Sequence, residues 1–216
     1  LPFEVRDYQL DAFAHAVKKK RTLMLSPTAS GKSLIIYLLA AYLNKKTLIV
    51  VPTISLVQQM AGDFKSYGYQ GDPHMITAGV EKETDNPITI STWQSIHKMP
   101  KKWFEQFDVV IGDEAHLFKS KSLTSIMTKL VGTPYRFGFT GTLDGTLTHR
   151  LVLEGLFGSV EKVTTTDELI KKGTLSEFNV KCIELQYPDQ VKKLHSKDKY
   201  QDEVDFLVRN ESRNRF

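Results

Sequence analysis

Cysteine and long hydrophobic runs are scarce in this sequence, and each scarcity excludes a class of protein. The single cysteine, Cys182, cannot form an internal disulfide, which is typical of the reducing cytoplasm. No apolar run approaches the length of a membrane span, and the amino terminus has no signal-peptide pattern. We therefore expect a cytoplasmic protein with no membrane partner. The alternating segment NVKCIEL predicts that Cys182 is buried in a strand rather than reactive.

Repeats and metal-ligand patterns are also absent from the sequence. It has no internal repeat and no low-complexity segment, which excludes solenoids and disordered tails. Metal-ligand spacing is missing among His15, His74, His97, His149, His195 and Cys182, so no zinc site is predicted. The composition, 41% hydrophobic and 25% charged, is that of a globular protein. A formal net charge of +4 weakly favours an acidic partner such as nucleic acid.

The two ends of the chain indicate a piece of a longer protein. The first residue is Leu1 rather than Met, and the last residues form a helical pattern without a C-terminal cap. Polar residues become more frequent after Gly158. We expect a first domain over residues 1–160 and an edge strand or linker that stays with it over residues 161–190. Residues 191–216 are then the truncated start of the connection to a further domain.

Short apolar runs alternate with amphipathic segments over the first 145 residues. The predicted strands are residues 22–25, 47–51, 88–91, 109–111 and 136–139. The predicted helices are residues 8–19, 32–43, 55–66 and 123–130. Several strands are apolar at successive positions, which suits parallel strands covered on both faces. The alternation predicts an α/β fold with a mostly parallel sheet and helices on both faces.

The segment LMLSPTASGKSLII resembles a phosphate-binding loop, the pattern Gly, four residues and Gly-Lys-Ser/Thr between a strand and a helix. Gly31, Lys32 and Ser33 match this pattern, whereas Ser26 replaces the first glycine and Ala29 restricts how the loop bends. In such a loop, backbone N–H groups hold the β-phosphate, Lys32 bridges the β- and γ-phosphates, and Ser33 ligates Mg²⁺. The alternative is a strand-to-helix turn that contains Gly-Lys-Ser by chance.

The segment FDVVIGDEAHLF places two carboxylates directly after an apolar strand. Asp113 and Glu114 then lie at the carboxyl edge of the sheet, where α/β folds bind their ligands. Asp113 can hold Mg²⁺ through water opposite Ser33, and Glu114 can accept a proton from the water that attacks the γ-phosphate. An Asp-Glu pair alone is usually a solvated turn. Together with the upstream Gly-Lys-Ser, it predicts a site for ATP and Mg²⁺.

Six motifs in order give a family resemblance. SPTASGKS and the DEAH run at residues 113–116 resemble motifs I and II of superfamily-two helicases and translocases. VRDYQ resembles the adenine motif of this family, VVPTISLVQQ motif Ia, ISTWQS motifs Ib and Ic, and FGFTGTL motif III. The resemblance covers residues 3–185 and is strongest to recombination and repair helicases of bacteriophages. It implies a RecA-like P-loop NTPase domain, the first of two motor domains.

The resemblance also assigns roles to individual residues. The implied nucleotide-binding residues are Arg6, Gln9, Ser26, Pro27, Thr28, Ala29, Ser30, Gly31, Lys32 and Ser33; Gln9 reads the adenine edge and Arg6 supports the nucleotide. The implied catalytic residues are Lys32, Asp113 and Glu114, and the implied Mg²⁺ ligands are Ser33 and Asp113. Family members often begin the loop with Ala/Ser-Pro-Thr, so Ser26 is expected.

Two further groups of residues couple nucleotide to nucleic acid in the family. His116, Thr140 and Thr142 are implied to link the hydrolysis site to motif III. Thr53, Ser55, Thr92 and Gln94 are implied to donate to nucleic-acid phosphates, contacts that position without reading sequence. For Thr53 and Ser55, capping of the following helix is an equal alternative. Trp93 and Trp103 are predicted to be core or partner-surface residues rather than base-stacking platforms.

The resemblance implies an ATP-dependent DNA helicase or translocase that unwinds or branch-migrates branched or forked DNA in recombination, repair and replication, in the host cytoplasm if the gene belongs to a phage. The alternatives are an RNA helicase, for which R-loops are substrates, and a nucleotide-gated nucleic-acid-binding module with little turnover. A small-molecule P-loop kinase would leave motifs Ia, Ib and III unexplained. Residues 1–216 contain no Gln-x-x-Gly-Arg-x-x-Arg segment, which supplies arginine fingers from the second motor domain. We therefore expect this chain alone to bind ATP and Mg²⁺ but to hydrolyse ATP poorly.

Overall fold

Parallel strands form the centre of the molecule. The computed structural model describes residues 4–177, 180–182, 184, 186, 191 and 199–215. Within these residues the strands are β1 (Arg21–Leu25), β2 (Thr47–Val51), β3 (His74–Ile76), β4 (Ile88–Thr92), β5 (Val109–Gly112), β6 (Tyr135–Thr140) and β7 (Val160–Lys162). They form one sheet in the order β3-β4-β2-β5-β6-β1-β7, and every pair is parallel. Strands β2, β4 and β5 are buried along their whole length, as strands covered on both faces must be.

Helices cover both faces of this sheet. They are α1 (Asp7–Lys19), α2 (Lys32–Leu43), α3 (Ile54–Ser66), α4 (Trp93–Ile96), α5 (Lys101–Phe104), a 3-10 helix (Ala115–Lys119), α6 (Lys121–Lys129), α7 (Leu147–Phe157) and α8 (Thr166–Lys171). One apolar cluster, which includes Ile35 and Phe64, packs α1, α2 and α3 on the sheet. A second cluster, which includes Phe104 and Phe157, packs α4 to α7 on the sheet. The predicted α/β fold, a parallel sheet with helices on both faces, is confirmed.

Two glycines allow the helices of the second cluster to lie close to the sheet. Gly112 in β5 and Gly138 in β6 are opposite each other in the strand register. A β-carbon at Gly138 would lie 2.9 Å from the ring of Phe157, and one at Gly112 would lie 2.7 Å from the ring of Phe118. Any side chain at these positions would push out α7 and the 3-10 helix, which both adjoin the predicted site.

The five predicted strands and the four predicted helices all exist, with ends that differ by at most two residues from the prediction. Sequence patterns missed β3, which has only three residues, the 3-10 helix, and α4, α5, α7 and α8. None of the helices in the described part of the chain is both long and apolar enough to cross a bilayer.

The chain divides into two compact units, one up to Ser176 and one from Glu177 onward. The described residues of the second unit include the helices Tyr200–Arg209 and Glu211–Asn214. The predicted burial of Cys182 in a strand is wrong, because its side chain is exposed and residues 180–182 form no strand. Alternation of apolar and polar residues buries a side chain only where a neighbouring element covers the apolar face. The domain limits expected at residues 160 and 190 stay predictions.

Candidate active site

The carboxyl ends of β1, β6 and β5 lie side by side at one edge of the sheet. Because these strands are parallel, the segments that follow them open on the same edge. Main-chain hydrogen bonds extend the pairing into these segments: the N–H of Ser26 donates to the carbonyl of Thr140 at 2.8 Å, and that of Asp113 to the carbonyl of Val50 at 2.9 Å. Motifs I, II and III therefore meet at one place.

The loop between β1 and α2 is held closed by its own serines. The Oγ atoms of Ser26 and Ser30 are 2.6 Å apart, and the Ser30 hydroxyl donates to the carbonyl of Pro27 at 2.6 Å. Because the Ser30 proton is used in this way, the Ser26 hydroxyl is the donor to Ser30. Both serines are fully buried. The residue that replaces the first glycine of the motif thus braces the loop from inside.

Two residues of the loop have left-handed backbone conformations, Ala29 with φ of +63° and Gly31 with φ of +81°. Glycine adopts this conformation freely, whereas a residue with a β-carbon is strained there by roughly 1–3 kcal/mol. Within the described residues, the N–H groups of Ala29, Gly31 and Lys32 have no hydrogen-bond acceptor. These three groups are available to phosphate oxygens at the amino terminus of α2, so the loop fits a polyphosphate.

Lys32 and Glu114, the predicted phosphate ligand and the predicted base, are in direct contact. The Nζ atom of Lys32 lies 3.0 Å from Oε1 of Glu114. The side chain of Lys32 is 17% exposed and that of Glu114 is 31% exposed. Solvent therefore reaches the ion pair, and either side chain can exchange this contact for another. The backbone of Glu114 has a φ of +48°, a strained conformation of the kind that clusters at functional sites.

Asp113 is the buried carboxylate of the site. It is only 7% exposed, and its Oδ1 accepts a hydrogen bond of 3.0 Å from the N–H of Glu114. Burial raises the pKa of Asp113, and the positive charge of Lys32 opposes this rise. A divalent cation beside a buried carboxyl stabilises the ionised form in the same way as Lys32. Asp113 therefore fits the predicted role of Mg²⁺ ligand.

A cavity of about 320 Å³ connects these groups. Its walls come from the phosphate-binding loop, from Asp113 and Glu114, and from one side of α3. The α3 residues are Leu56, Gln59, Met60 and Asp63. Sequence reasoning placed α3 in the nucleic-acid motif only and missed this contribution. Apolar periodicity indicates the buried face of α3, but it does not indicate which ligand lies beside the polar flank.

Tyr67, directly after α3, is a second group that no motif indicated. Its hydroxyl lies 2.8 Å from Oγ of Ser33, the other predicted Mg²⁺ ligand. Burial raises the pKa of Tyr67, so the phenol is neutral at physiological pH and can donate to Ser33. Ser33 is therefore held in place by the residue that follows α3.

Two side chains of helix α1 bind the phosphate-binding loop through the carbonyl of Ser30. The amide of Gln9 and the hydroxyl of Tyr8 both donate to the carbonyl of Ser30 at 2.9 Å, and Oε1 of Gln9 accepts from the N–H of Arg6 at 3.0 Å. A β-carbon at Gly31 would collide with the Gln9 amide. Neither Arg6 nor Gln9 lines the 320 Å³ cavity, and the adenine contact of Gln9 stays a prediction.

The three predicted coupling residues form a chain of contacts that starts at Glu114. His116 Nδ1 lies 3.3 Å from Oε2 of Glu114 and 3.0 Å from Oγ1 of Thr140. The Thr140 hydroxyl donates to the carbonyl of Thr142 at 2.8 Å. Because this proton is used, Thr140 accepts from His116. Motif II is thereby connected to motif III.

His149 adds a second connection between motif II and the motif III loop, one that sequence reasoning missed. Its side chain is 4% exposed; Nε2 lies 3.0 Å from the carbonyl of His116, and Nδ1 lies 2.9 Å from Oδ1 of Asp144. A carbonyl only accepts, so Nε2 of His149 is the donor to His116, whereas the contact of Nδ1 with Asp144 is close but does not have hydrogen-bond geometry. Asp144 also accepts from Thr146, from its N–H at 2.9 Å and its hydroxyl at 2.8 Å, and hydrogen bonds of this kind hold the pKa of Asp144 far below its usual range.

The predicted nucleic-acid residues after β2 are at the surface. Thr53 caps α3, because its Oγ1 accepts from the N–H of Leu56 at 3.3 Å and lies 3.0 Å from Oγ of Ser55. Both hydroxyl residues are exposed. Thr53 therefore caps α3, as the alternative predicted. Capping does not prevent a phosphate from binding at the amino terminus of the same helix.

The predicted nucleic-acid residues after β4 differ from each other. Thr92 is only 4% exposed, and its hydroxyl lies 2.9 Å from that of Ser95. Gln94 is exposed, and its amide lies 3.5 Å from the carbonyl of Pro52, so the ends of β2 and β4 form one surface. Trp103 is buried and donates to the carbonyl of Lys82, which confirms that it is a core residue.

The sequence is similar to one protein family and to known helicases and translocases. Residues 2–145 match the family described as the type III restriction enzyme, res subunit (ResIII). The chain is 36% identical to the ATP-dependent DNA helicase UvsW of Enterobacteria phage T4 over 97% of its length, and 30% identical to the DNA 3′-5′ translocase XPB2 of Sulfurisphaera tokodaii over 88% of its length. These alignments cover 44% and 42% of the two relatives, so the chain spans less than half of their length.

Solved structures give the same picture of the fold. A crystal structure of T4 UvsW superimposes with a TM-score of 0.68 at 37% identity, over 74% of this chain and 60% of that one. The helicase domain of Hef from Pyrococcus furiosus superimposes with a TM-score of 0.69 over 89% of this chain and 44% of that one. At 19% identity, the second match shows a shared fold alone.

Proposed function

The chain belongs to the ResIII family, and from this membership we propose that it is the first motor domain of an ATP-dependent DNA helicase or translocase. The observation that carries the proposal is the meeting of Lys32, Asp113 and Glu114 with the phosphate-binding loop at one sheet edge. Nucleotide hydrolysis in P-loop proteins requires a phosphate cradle, a metal ligand and a group that orients or activates water. Each requirement has a residue in this cavity.

ATP is the proposed substrate, and the loop that lines the cavity fits its polyphosphate. The N–H groups of Ala29, Gly31 and Lys32 bind the polyphosphate, and Lys32 exchanges its contact with Glu114 for one with the phosphates. Glu114, released from Lys32, accepts a proton from the attacking water. Ser33 and Asp113 would hold Mg²⁺, which when bound would neutralise charge on the phosphate oxygens. Binding of ATP therefore switches the base on by removing its lysine partner.

The contacts of Glu114 transmit the state of the nucleotide. His116 contacts both Glu114 and Thr140, so a change in the charge or position of the Glu114 carboxylate alters the hydrogen bonds of motif III. Thr140 and Thr142 then carry this change along motif III. The hydrogen bond from the N–H of Asp113 to the carbonyl of Val50 joins motif II to β2, which leads to the proposed nucleic-acid surface. Thr53, Ser55 and Gln94 of that surface contact nucleic-acid phosphates, and the buried Thr92 supports them.

The second part of the proposal concerns the whole protein. The relatives named above are a DNA helicase and a DNA translocase, and this chain covers less than half of each. We propose that residues 1–160 form motor domain 1, that residues 161–190 stay associated with it, and that residues 191–216 lead to a second RecA-like domain. That domain supplies an arginine finger, which in related enzymes increases the rate on the order of 10³–10⁵-fold.

Branched or forked duplex DNA is the proposed substrate. The names of the relatives support DNA as the substrate, and the branched or forked form is what the motif resemblance to recombination and repair helicases implies. The proposed contacts with phosphates do not depend on sequence. The same phosphate contacts can form with RNA, because only contacts with the 2′-hydroxyl distinguish RNA from DNA.

Hydrolysis of ATP by the full-length parent protein tests this function. It is measured without nucleic acid and with forked DNA, plain duplex DNA and RNA. We expect the strongest stimulation by forked DNA. Stimulation by RNA alone would move the protein to the RNA helicases, and an absence of hydrolysis under all conditions would favour the nucleotide-gated binding module.

A further inference from the structure

A basic groove lies on the face of the sheet opposite α1, α2 and α3. It has a volume of about 950 Å³ and is formed by α5, the 3-10 helix, α6 and α7. Four lysines line it, Lys101, Lys119, Lys121 and Lys129, and none of the lining residues is acidic. No motif falls on this surface, and the proposed nucleotide site does not use it.

The positive charge of the groove is a property of the local sequence. Residues 115–143 contain three lysines and one arginine but no aspartate and no glutamate. Lys101 faces Glu105 at 3.8 Å and Lys119 faces Asp144 at 3.2 Å, in exposed pairs that compensate the charge weakly. Among the described residues, Lys121 has no carboxylate partner at all. The groove therefore attracts a polyanion.

Helix α4, which belongs to the surface proposed to contact nucleic acid, adjoins α6, one wall of the groove. Lys129 donates to the carbonyls of His97 and Met99, at 2.7 and 2.8 Å, directly after α4. Helix α4 contains Gln94, the exposed residue of the β4 surface. The groove is therefore next to the helix that carries Gln94, one of the proposed contacts with nucleic-acid phosphates.

The side chains that line the groove suit duplex DNA better than a single strand. Proteins that hold single strands combine positive charge with aromatic side chains on which bases stack. None of the residues that line this groove is aromatic, and Val131 and Val152 provide its apolar part. Lysines act as point charges suited to backbone phosphates rather than to paired recognition of base edges.

We propose that this groove binds the phosphodiester backbone of a duplex DNA arm next to the branch on which the motor acts. The groove supplies a sequence-independent contact outside the helicase motifs. The inference rests on the proposed DNA motor function, and it adds a second contact surface to it. Its ligand is the DNA duplex, and an acidic protein segment is the competing occupant.

The test compares two double variants of the full-length protein. Lys101→Ala with Lys121→Ala removes two charges from the groove. Lys18→Ala with Lys45→Ala removes two exposed charges from the opposite face and is the matched control. Binding to labelled duplex and to single-stranded DNA of the same sequence is measured by fluorescence anisotropy across a salt series. Binding to polyglutamate is measured in parallel, and ATP hydrolysis without DNA is recorded for each preparation.

We expect the groove variant to bind duplex more weakly and the slope of log affinity against log salt to fall by about two, since each lost phosphate contact contributes about 0.9. Single-strand binding, hydrolysis without DNA and the control variant should stay at the wild-type level. Duplex binding equal to wild type, an equal loss in the control, or loss of polyglutamate binding alone would each overturn the proposal. Because wild-type hydrolysis is measured separately, failure of the motor function is distinguishable from failure of the groove.

Discussion

Glu114 is the single residue on which the proposed chemistry depends. Glu114→Gln keeps the size of the side chain and an oxygen for Lys32, but the amide does not accept a proton. In the full-length protein we expect ATP binding within about twofold of wild type and a loss of turnover on the order of 10²–10⁴-fold, the usual contribution of a general base. Steady-state hydrolysis and binding of a fluorescent ATP analogue measure the two quantities.

Glu83→Gln is the matched control for this substitution, because Glu83 is an exposed carboxylate in the loop before β4. It should alter neither binding nor turnover. Turnover that survives in Glu114→Gln would remove Glu114 as the base.

The residues that meet in the candidate site were predictable where a sequence motif indicated both their chemistry and their place in the fold. Lys32, Asp113 and Glu114 follow strands that the sequence shows clearly, and the parallel sheet brings them together. Tyr67 and Gln59 could not be predicted, because each enters the site from the flank of α3 through tertiary packing. Ser26 was expected from the family, but its bond to Ser30 is visible only in the folded loop.

At the scale of elements, His149 connects helix α7 to His116 of motif II and to Asp144 in the loop after motif III. His149→Ala removes both the contact with the His116 carbonyl and that with Asp144. We expect the free energy of unfolding to fall by about 1–3 kcal/mol, the effect of leaving buried polar groups without partners. His149→Gln can restore one hydrogen bond and should give an intermediate value. Urea unfolding at neutral pH measures both, and an alanine variant as stable as wild type would contradict the assignment.

Helix α7 also shows where element prediction from sequence fails. Leu147 and Leu151 are 70% and 57% exposed, whereas Leu153 and Phe157 of the same helix are buried. Apolar residues therefore occur on both faces, and the period that marks a helix is lost. Several of the five predicted strands are apolar at successive positions, and all five lie between the two edge strands of the sheet, so their pattern was clear. Strand β3 has three residues at the edge and gives almost no pattern.

At the scale of the whole molecule, motor activity requires more than the sheet described above. Residues 1–216 contain the phosphate cradle and the base but no arginine-finger segment. We therefore expect the chain of 216 residues to bind ATP, to hydrolyse it slowly and to separate no strands. Robust unwinding of a forked duplex by these residues alone would contradict the proposed division of labour between two motor domains.

The most direct test of the account is calorimetric titration of residues 1–216 with ATP, with and without Mg²⁺, for the wild type and for Lys32→Ala. We predict saturable binding with one site, tighter binding when Mg²⁺ is present, and a loss of binding in Lys32→Ala, because the lysine would contact the phosphates. Lys18→Ala, which removes one of the exposed lysines of α1, should bind as wild type does. Binding that does not respond to Mg²⁺ or to the loss of Lys32 would show that the cavity at the sheet edge is not the nucleotide site.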